Sequence, residues 1–152
     1  MADQAGIHFE ELATIVRIYQ DRARQVFGEI APAVAEAMHA QVLEEFETEG
    51  RGRWEPFAWQ RDGKPKPKGR RWRGNPKLLQ DRGVMVGSMT PDWNEGVVEV
   101  YSNNPYVKYH ASRAPRSKIP LRDPFDIDVQ AFEGDVAGMM LVRLVRQPVA
   151  AE

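Results

Sequence analysis

Between Arg61 and Gly74 the chain reads Arg-Asp-Gly-Lys-Pro-Lys-Pro-Lys-Gly-Arg-Arg-Trp-Arg-Gly. No helix or strand can be built from it. No apolar position recurs at a period of 3.6 or 2, glycines and prolines interrupt it, and its like charges repel. Alternating Lys-Pro favours an extended, polyproline-like backbone. The segment is expected to be a mobile loop, and the fold must be assembled from the residues on either side of it. A loop this long in a compact domain is either functional or disordered.

The segment also organises the charge. It holds seven basic side chains and Asp62, a net of +6. Residues 1–50 hold ten acidic and three basic side chains, a net of −7. The overall balance of −1 therefore hides a polarised chain, and polarisation points to partners. The 152 residues are one domain's worth and include no cysteine. That excludes a disulfide scaffold, a thiolate zinc site, an iron–sulfur cluster and a cysteine nucleophile. No apolar run approaches the ~18 residues of a membrane span. The start, Met1-Ala2-Asp3-Gln4, lacks the order of a secretion signal, so assembly in a cytoplasm is expected.

Before the segment, Phe9, Leu12, Val16, Tyr19, Ala23 and Val26 recur at helical spacing, as do Ile30, Val34, Ala37, Met38, Val42 and Phe46. Gly28 either separates two helices or bends one. Pro32 suits the first turn of a second helix, and Gly50 suits its end. After the segment, a short helix is predicted over 76–82, with Leu78 and Leu79 buried. Strands follow over 84–93 and 97–103, joined at Trp93-Asn94-Glu95-Gly96. Val98, Val100 and Ser102 share one face of the second strand; Val97, Glu99 and Tyr101 share the other. A helical turn is predicted over 105–111, then a loop over 112–118. Val129, Phe132, Val136, Met139, Met140 and Leu144 fit a last helix over 128–146, although 139–145 also suits a strand. The expected class is α+β in a single domain over 1–152. N-terminal helices (1–49) pack on a small antiparallel sheet (76–126), with a basic loop (50–75) and a C-terminal helix (127–147).

No residue pattern points to catalysis. His8, His39 and His110 have no partner at metal-ligand spacing and read as ordinary surface or half-buried histidines. Val86-Gly87-Ser88-Met89-Thr90 only brushes the Gly-x-Ser-x-Gly elbow. There is no phosphate-loop or dinucleotide motif, and no cofactor is expected. Glu44-Glu45-Phe46-Glu47-Thr48-Glu49 reads as a solvated helix end or a salt-bridge donor, where carboxylates oppose the helix dipole unless a basic partner lies against them. The basic segment offers Lys64, Lys66, Lys68, Arg70, Arg71, Trp72 and Arg73. Three readings stand for it: a solvated loop, a contact ordered on a neighbouring subunit's acidic face, or a phosphate contact to nucleic acid.

A set of short motifs then occurs in order over residues 40–126. Phe46 and Gly50 precede Trp54-Glu55-Pro56-Phe57. The basic segment comes next, followed by Leu78-Leu79, Gly83-Val84 and Ser88. The hairpin leads to Tyr106-Val107-Lys108-Tyr109-His110, and the series closes on Ile119-Pro120-Leu121-Arg122-Asp123-Pro124-Phe125. This order resembles the phage virion-morphogenesis family, also described as tail-completion or head–tail joining proteins. Val107 replaces the family's small residue, and Asp123 is an insertion. The resemblance implies a non-enzymatic structural protein that forms a ring, hexameric in such adaptors, at the neck of a tailed-phage or phage-like particle. It implies contacts with the head connector and with tail tube or terminator proteins, and DNA passing through the channel. It also implies that Trp54, Pro56, Tyr106, His110, Pro120, Arg122 and Phe125 are fold and interface determinants. His110 is expected to pin the loop after it by donating to a carbonyl, and Arg122 to reach a carboxylate bidentately.

Overall fold

The computed structural model describes residues 9–65, 77–80, 82–94, 96–113 and 119–146. The two periodic patterns before the basic segment form one helix, α1 (Phe9–Glu47), unbroken through Gly28 and Pro32. Pro32 is thus inside the helix and not at the start of a second one. Its missing N–H would have bonded the carbonyl four residues earlier, which belongs to Gly28. Gly28 is exposed, so water can take the donor's place.

The C-terminal half of α1 is the spine of the protein. Val26, Ile30, Ala31, Val34, Ala35, Val42 and Phe46 are buried along one stripe. The first third carries the same stripe without cover. Residues 10–21 are exposed throughout, including Leu12, Ile15, Val16, Ile18 and Tyr19. The periodicity was legible in the sequence; the absence of a covering element over its first third was not.

α1 ends in a run of left-handed backbone at Glu49, Gly50, Arg51 and Gly52, with φ of 51°, 67°, 54° and 75°. The run reverses the chain and brings Trp54 back onto Phe46, ring edge to ring face at 5.8 Å. A one-turn helix, α2 (Ala58–Arg61), lies in the stretch expected to be loop throughout.

The helix predicted over 76–82 does not form among its described residues, 77–80 and 82. Leu79 has φ 61°, which a right-handed helix cannot contain. The turn is held from outside: the Leu78 N–H donates to Glu49 Oε1 at 2.8 Å and the Gln80 amide to the Phe46 carbonyl at 2.5 Å. Leu78 is nevertheless buried, and Leu79 is half-buried.

The hairpin is as predicted, except that β1 is shorter. A 3-10 turn occupies Val86–Ser88, and β1 (Met89–Asn94) pairs antiparallel with β2 (Val97–Ser102), from Met89↔Ser102 to Asn94↔Val97. Gly96 supplies the positive φ of 92° that the tight connection requires. Val98, Val100 and Ser102 are the half-buried face of β2, and Val97, Glu99 and Tyr101 the exposed one. Met89, Val107, Leu78, Trp54, Val42 and Phe46 make the core, with Val100, Phe125 and Ile127 packed against it. α3 (Val107–Ala111) follows the hairpin.

The C-terminal segment is helical to its end, as α4 (Val129–Arg146), so the strand alternative for 139–145 does not hold. It runs antiparallel to α1. Asp126, just before it, binds Arg53 near the end of α1, and Arg143 in its last turn reaches Glu29 at 3.1 Å. The protein is therefore α+β and mostly helical, with a two-stranded sheet.

Candidate functional site

Motif residues from opposite ends of the 40–126 span converge on one side of the core. Arg122 is 7% exposed. Its Nε and Nη2 donate to the Glu55 carbonyl at 2.9 and 2.6 Å, and Nη2 also reaches the Pro56 carbonyl at 3.2 Å. The guanidinium lies over the Phe57 ring, 5.7 Å from its centre. Within the chain, then, its fork clamps the backbone of the Trp-Glu-Pro-Phe step and not a carboxylate. A carbonyl carries no charge to offset burial, which is why desolvation pulls the guanidinium below its ordinary pKa, opposed by Glu55 and Glu49.

The Arg122 N–H donates to the His110 carbonyl at 3.1 Å, which ties Arg122 to the end of α3. Here His110 acts through its backbone. Asp123 accepts the Phe125 N–H at 3.0 Å, and that local turn buries Pro124 and sets Phe125 against the core. Trp54 is buried, Pro120 is half-buried, and Pro56 and Tyr106 are exposed.

Beside this node lies an open cleft of about 970 Å³, lined among others by Lys77, Leu79, Arg82, Tyr106, His110 and Arg122. Its lining mixes the cations Lys77, Arg82 and Arg122 with apolar side chains such as Leu79, Val84 and Met85.

The salt-bridge reading of the acidic helix end holds at Glu45, though its partners were not foreseen in the sequence. Glu45 has its carboxylate buried under two arginines: Arg51 at 3.1 Å and Arg53 at 3.2 Å. Arg53 also binds the Asp126 carboxylate at 2.8 Å, and both arginines donate to the Asp126 carbonyl. Burial raises the Glu45 pKa above its ordinary value, against the pull of Arg51 and Arg53. Two other acids of the helix end are also answered locally. Glu47 pairs with Lys77, and Glu49 takes the Leu78 N–H. The signal was present as Gly50-Arg51-Gly52-Arg53 directly after an acidic helix end: glycines to turn the chain, arginines to meet the carboxylates.

Of the basic side chains of the segment, Arg61 and Lys64 are among the described residues, and Arg61 pairs with Glu55 and Asp62; Lys64 is the one candidate contact residue described. It is exposed and pairs with Asp62 at 3.4 Å, and Asp62 is held below its ordinary pKa by hydrogen bonds from Arg61 and Lys64. Lys66, Lys68, Arg70, Arg71, Trp72 and Arg73 lie outside the described residues, as does His8. His39 stands 4.0 Å from Glu36 on its own helix. Among the described residues no cluster of His, Asp or Glu is arranged to hold a metal, and no helix is long and apolar enough to cross a membrane. No family model matches the chain, and no curated protein or solved structure matches it either.

Proposed function

We propose that the chain is a structural assembly protein of a tailed phage or phage-like particle. It forms a ring at the neck that completes the tail and joins it to the head connector. The observation that carries this reading is the uncovered first third of α1. Five large apolar side chains stand 46–65% exposed on a helix projecting from the body. A chain that works alone rarely leaves so much contiguous apolar surface in water, whereas an assembly component needs it. The ordered motifs support the same reading. Their residues meet in one clamp, Arg122 on the Glu55 and Pro56 carbonyls, as determinants of a shared fold would.

The basic segment is assigned to a subunit or partner contact. Deleting residues 61–73 is expected to leave a folded chain that no longer joins heads to tails. Normal particle yield from the deletion would remove the segment from the function. A gel shift at ~50 and ~200 mM salt separates a protein contact from a phosphate contact, because only the latter gives an affinity that falls steeply with salt.

A further inference from the structure

Among the described residues, two acids at the start of α1 and two cations in the open cleft lack ion-pair partners, and both sets stand beside uncovered apolar side chains. The third cation of the cleft, Lys77, is already bound to Glu47. Arg82 is exposed. Arg122 is 7% exposed, with Nε and Nη2 held by the Glu55 and Pro56 carbonyls. Its Nη1 makes no hydrogen bond among the described residues. Glu55 and Glu49 act on that guanidinium from the side, but Glu55 is paired with Arg61 and Glu49 takes the Leu78 N–H. No Asp or Glu is among the described residues that line the cleft. A buried guanidinium held by carbonyls and opening on such a cleft is a place for a carboxylate. Around it Leu79 and Met85 are half-buried, and Val84 is 64% exposed.

The two acids are Glu10 and Glu11, both exposed in the first turn of α1. At about 100° per residue, Leu12, Ile15, Val16 and Tyr19 share one side of the helix, and Glu11 borders that side. Glu10, Arg17 and Asp21 lie on the opposite side. The uncovered face is thus an apolar stripe with a carboxylate at its leading edge. Apolar anchors at helical spacing, beside one fixed charge, are how a helix docks in a groove, and the cleft offers the matching walls and the opposite charge.

A chain cannot bring its own tip to its own cleft. α1 is one helix from Phe9 to Glu47, and Lys77 of the cleft is bound at Glu47. From Glu11 to Glu47 the axis runs ~54 Å. We infer that the start of α1 from one copy, with Leu12, Ile15 and Val16 as anchors, docks in the cleft of a second copy, the Glu11 carboxylate facing Arg82 and Arg122. The inference rests on the ring reading and names the contact that would close it. Tip and cleft differ, so the contact is head-to-tail, which closes into a ring or continues as a filament.

Charge reversal on the full chain tests it. Arg82→Glu and Glu11→Arg are prepared as separate variants. Both positions are exposed, so the fold is retained, as far-UV circular dichroism will check. Self-association is read as native mass against concentration. Each variant alone is expected to assemble at least about tenfold more weakly than the unchanged chain, because like charges then meet at every contact. Mixed in equal amounts, the two are expected to recover assembly, since alternating copies restore an opposite pair at each contact. If a reversal unfolds the chain, Arg82→Gln and Glu11→Gln are expected to weaken assembly about two- to fivefold. Assembly unchanged in any of these variants gives the cleft to another occupant and overturns the contact, as does a loss that mixing the reversals does not recover; the ring reading then stands without it. If the unchanged chain stays a single copy at every concentration, both fall.

Discussion

Gly50 shows how one residue fixes the end of α1. Its φ of 67° is left-handed, and a Cβ there would stand 2.3 Å from Trp54 Cδ1 and Nε1. Gly52 is also left-handed, at 75°, but has nothing within 4 Å. Gly50→Ala is therefore expected to lower stability by about 2–4 kcal/mol, the sum of backbone strain and an overpacked Trp54. Gly52→Ala is expected to cost about 1–2 kcal/mol, from backbone strain alone. Denaturant unfolding of the two variants measures the difference, and equal losses would contradict the packing role of Gly50.

Arg122→Met leaves the buried Glu55 carbonyl without donors and is expected to cost about 2–3 kcal/mol. Arg122 was legible as a bidentate residue from its place in the Pro-Leu-Arg text. Its partner was not, because a backbone carbonyl 67 residues away leaves no mark in composition.

Glu45 gives a pH signature of known sign. Its folded pKa is raised, so its contribution is fully present below the ordinary value near 4.5 and is lost as pH rises through the higher folded value. The wild type should thus gain stability relative to Glu45→Gln on acidification through that window, in thermal melts compared at neutral and mildly acid pH. A relative loss would mean that Arg51 and Arg53 outweigh burial.

At the scale of elements, the hairpin was legible because alternation, Gly96 and two short strands all act locally. The turn at 77–80 was not, because its left-handed Leu79 is held by Glu49 and Phe46, about thirty residues earlier. The continuity of α1 lay between the two, since Gly28 and Pro32 both permitted a break. Removing residues 1–20 is expected to change the unfolding midpoint little, because residues 10–21 are exposed throughout. The same truncation is expected to abolish self-association. A large drop in the midpoint would show that the projecting turns support the body of their own copy.

At the scale of the whole molecule, the −7 of residues 1–50 includes acids in two settings. At the end of α1, Glu45 and Glu47 meet arginines and a lysine of their own chain, at Arg51, Arg53 and Lys77. The acids at its tip, Glu10 and Glu11, remain outward on a projecting apolar helix. A self-complementary ring component has that division: charge pairs that set the fold inside, and a charged, apolar surface left for the next copy.

The most direct test of the account is the native mass of the full chain as concentration is raised, beside that of Leu12→Asp/Val16→Asp. The account predicts a closed multi-subunit species for the unchanged chain and a folded single copy for the variant. A single copy for both, at every concentration, would contradict it.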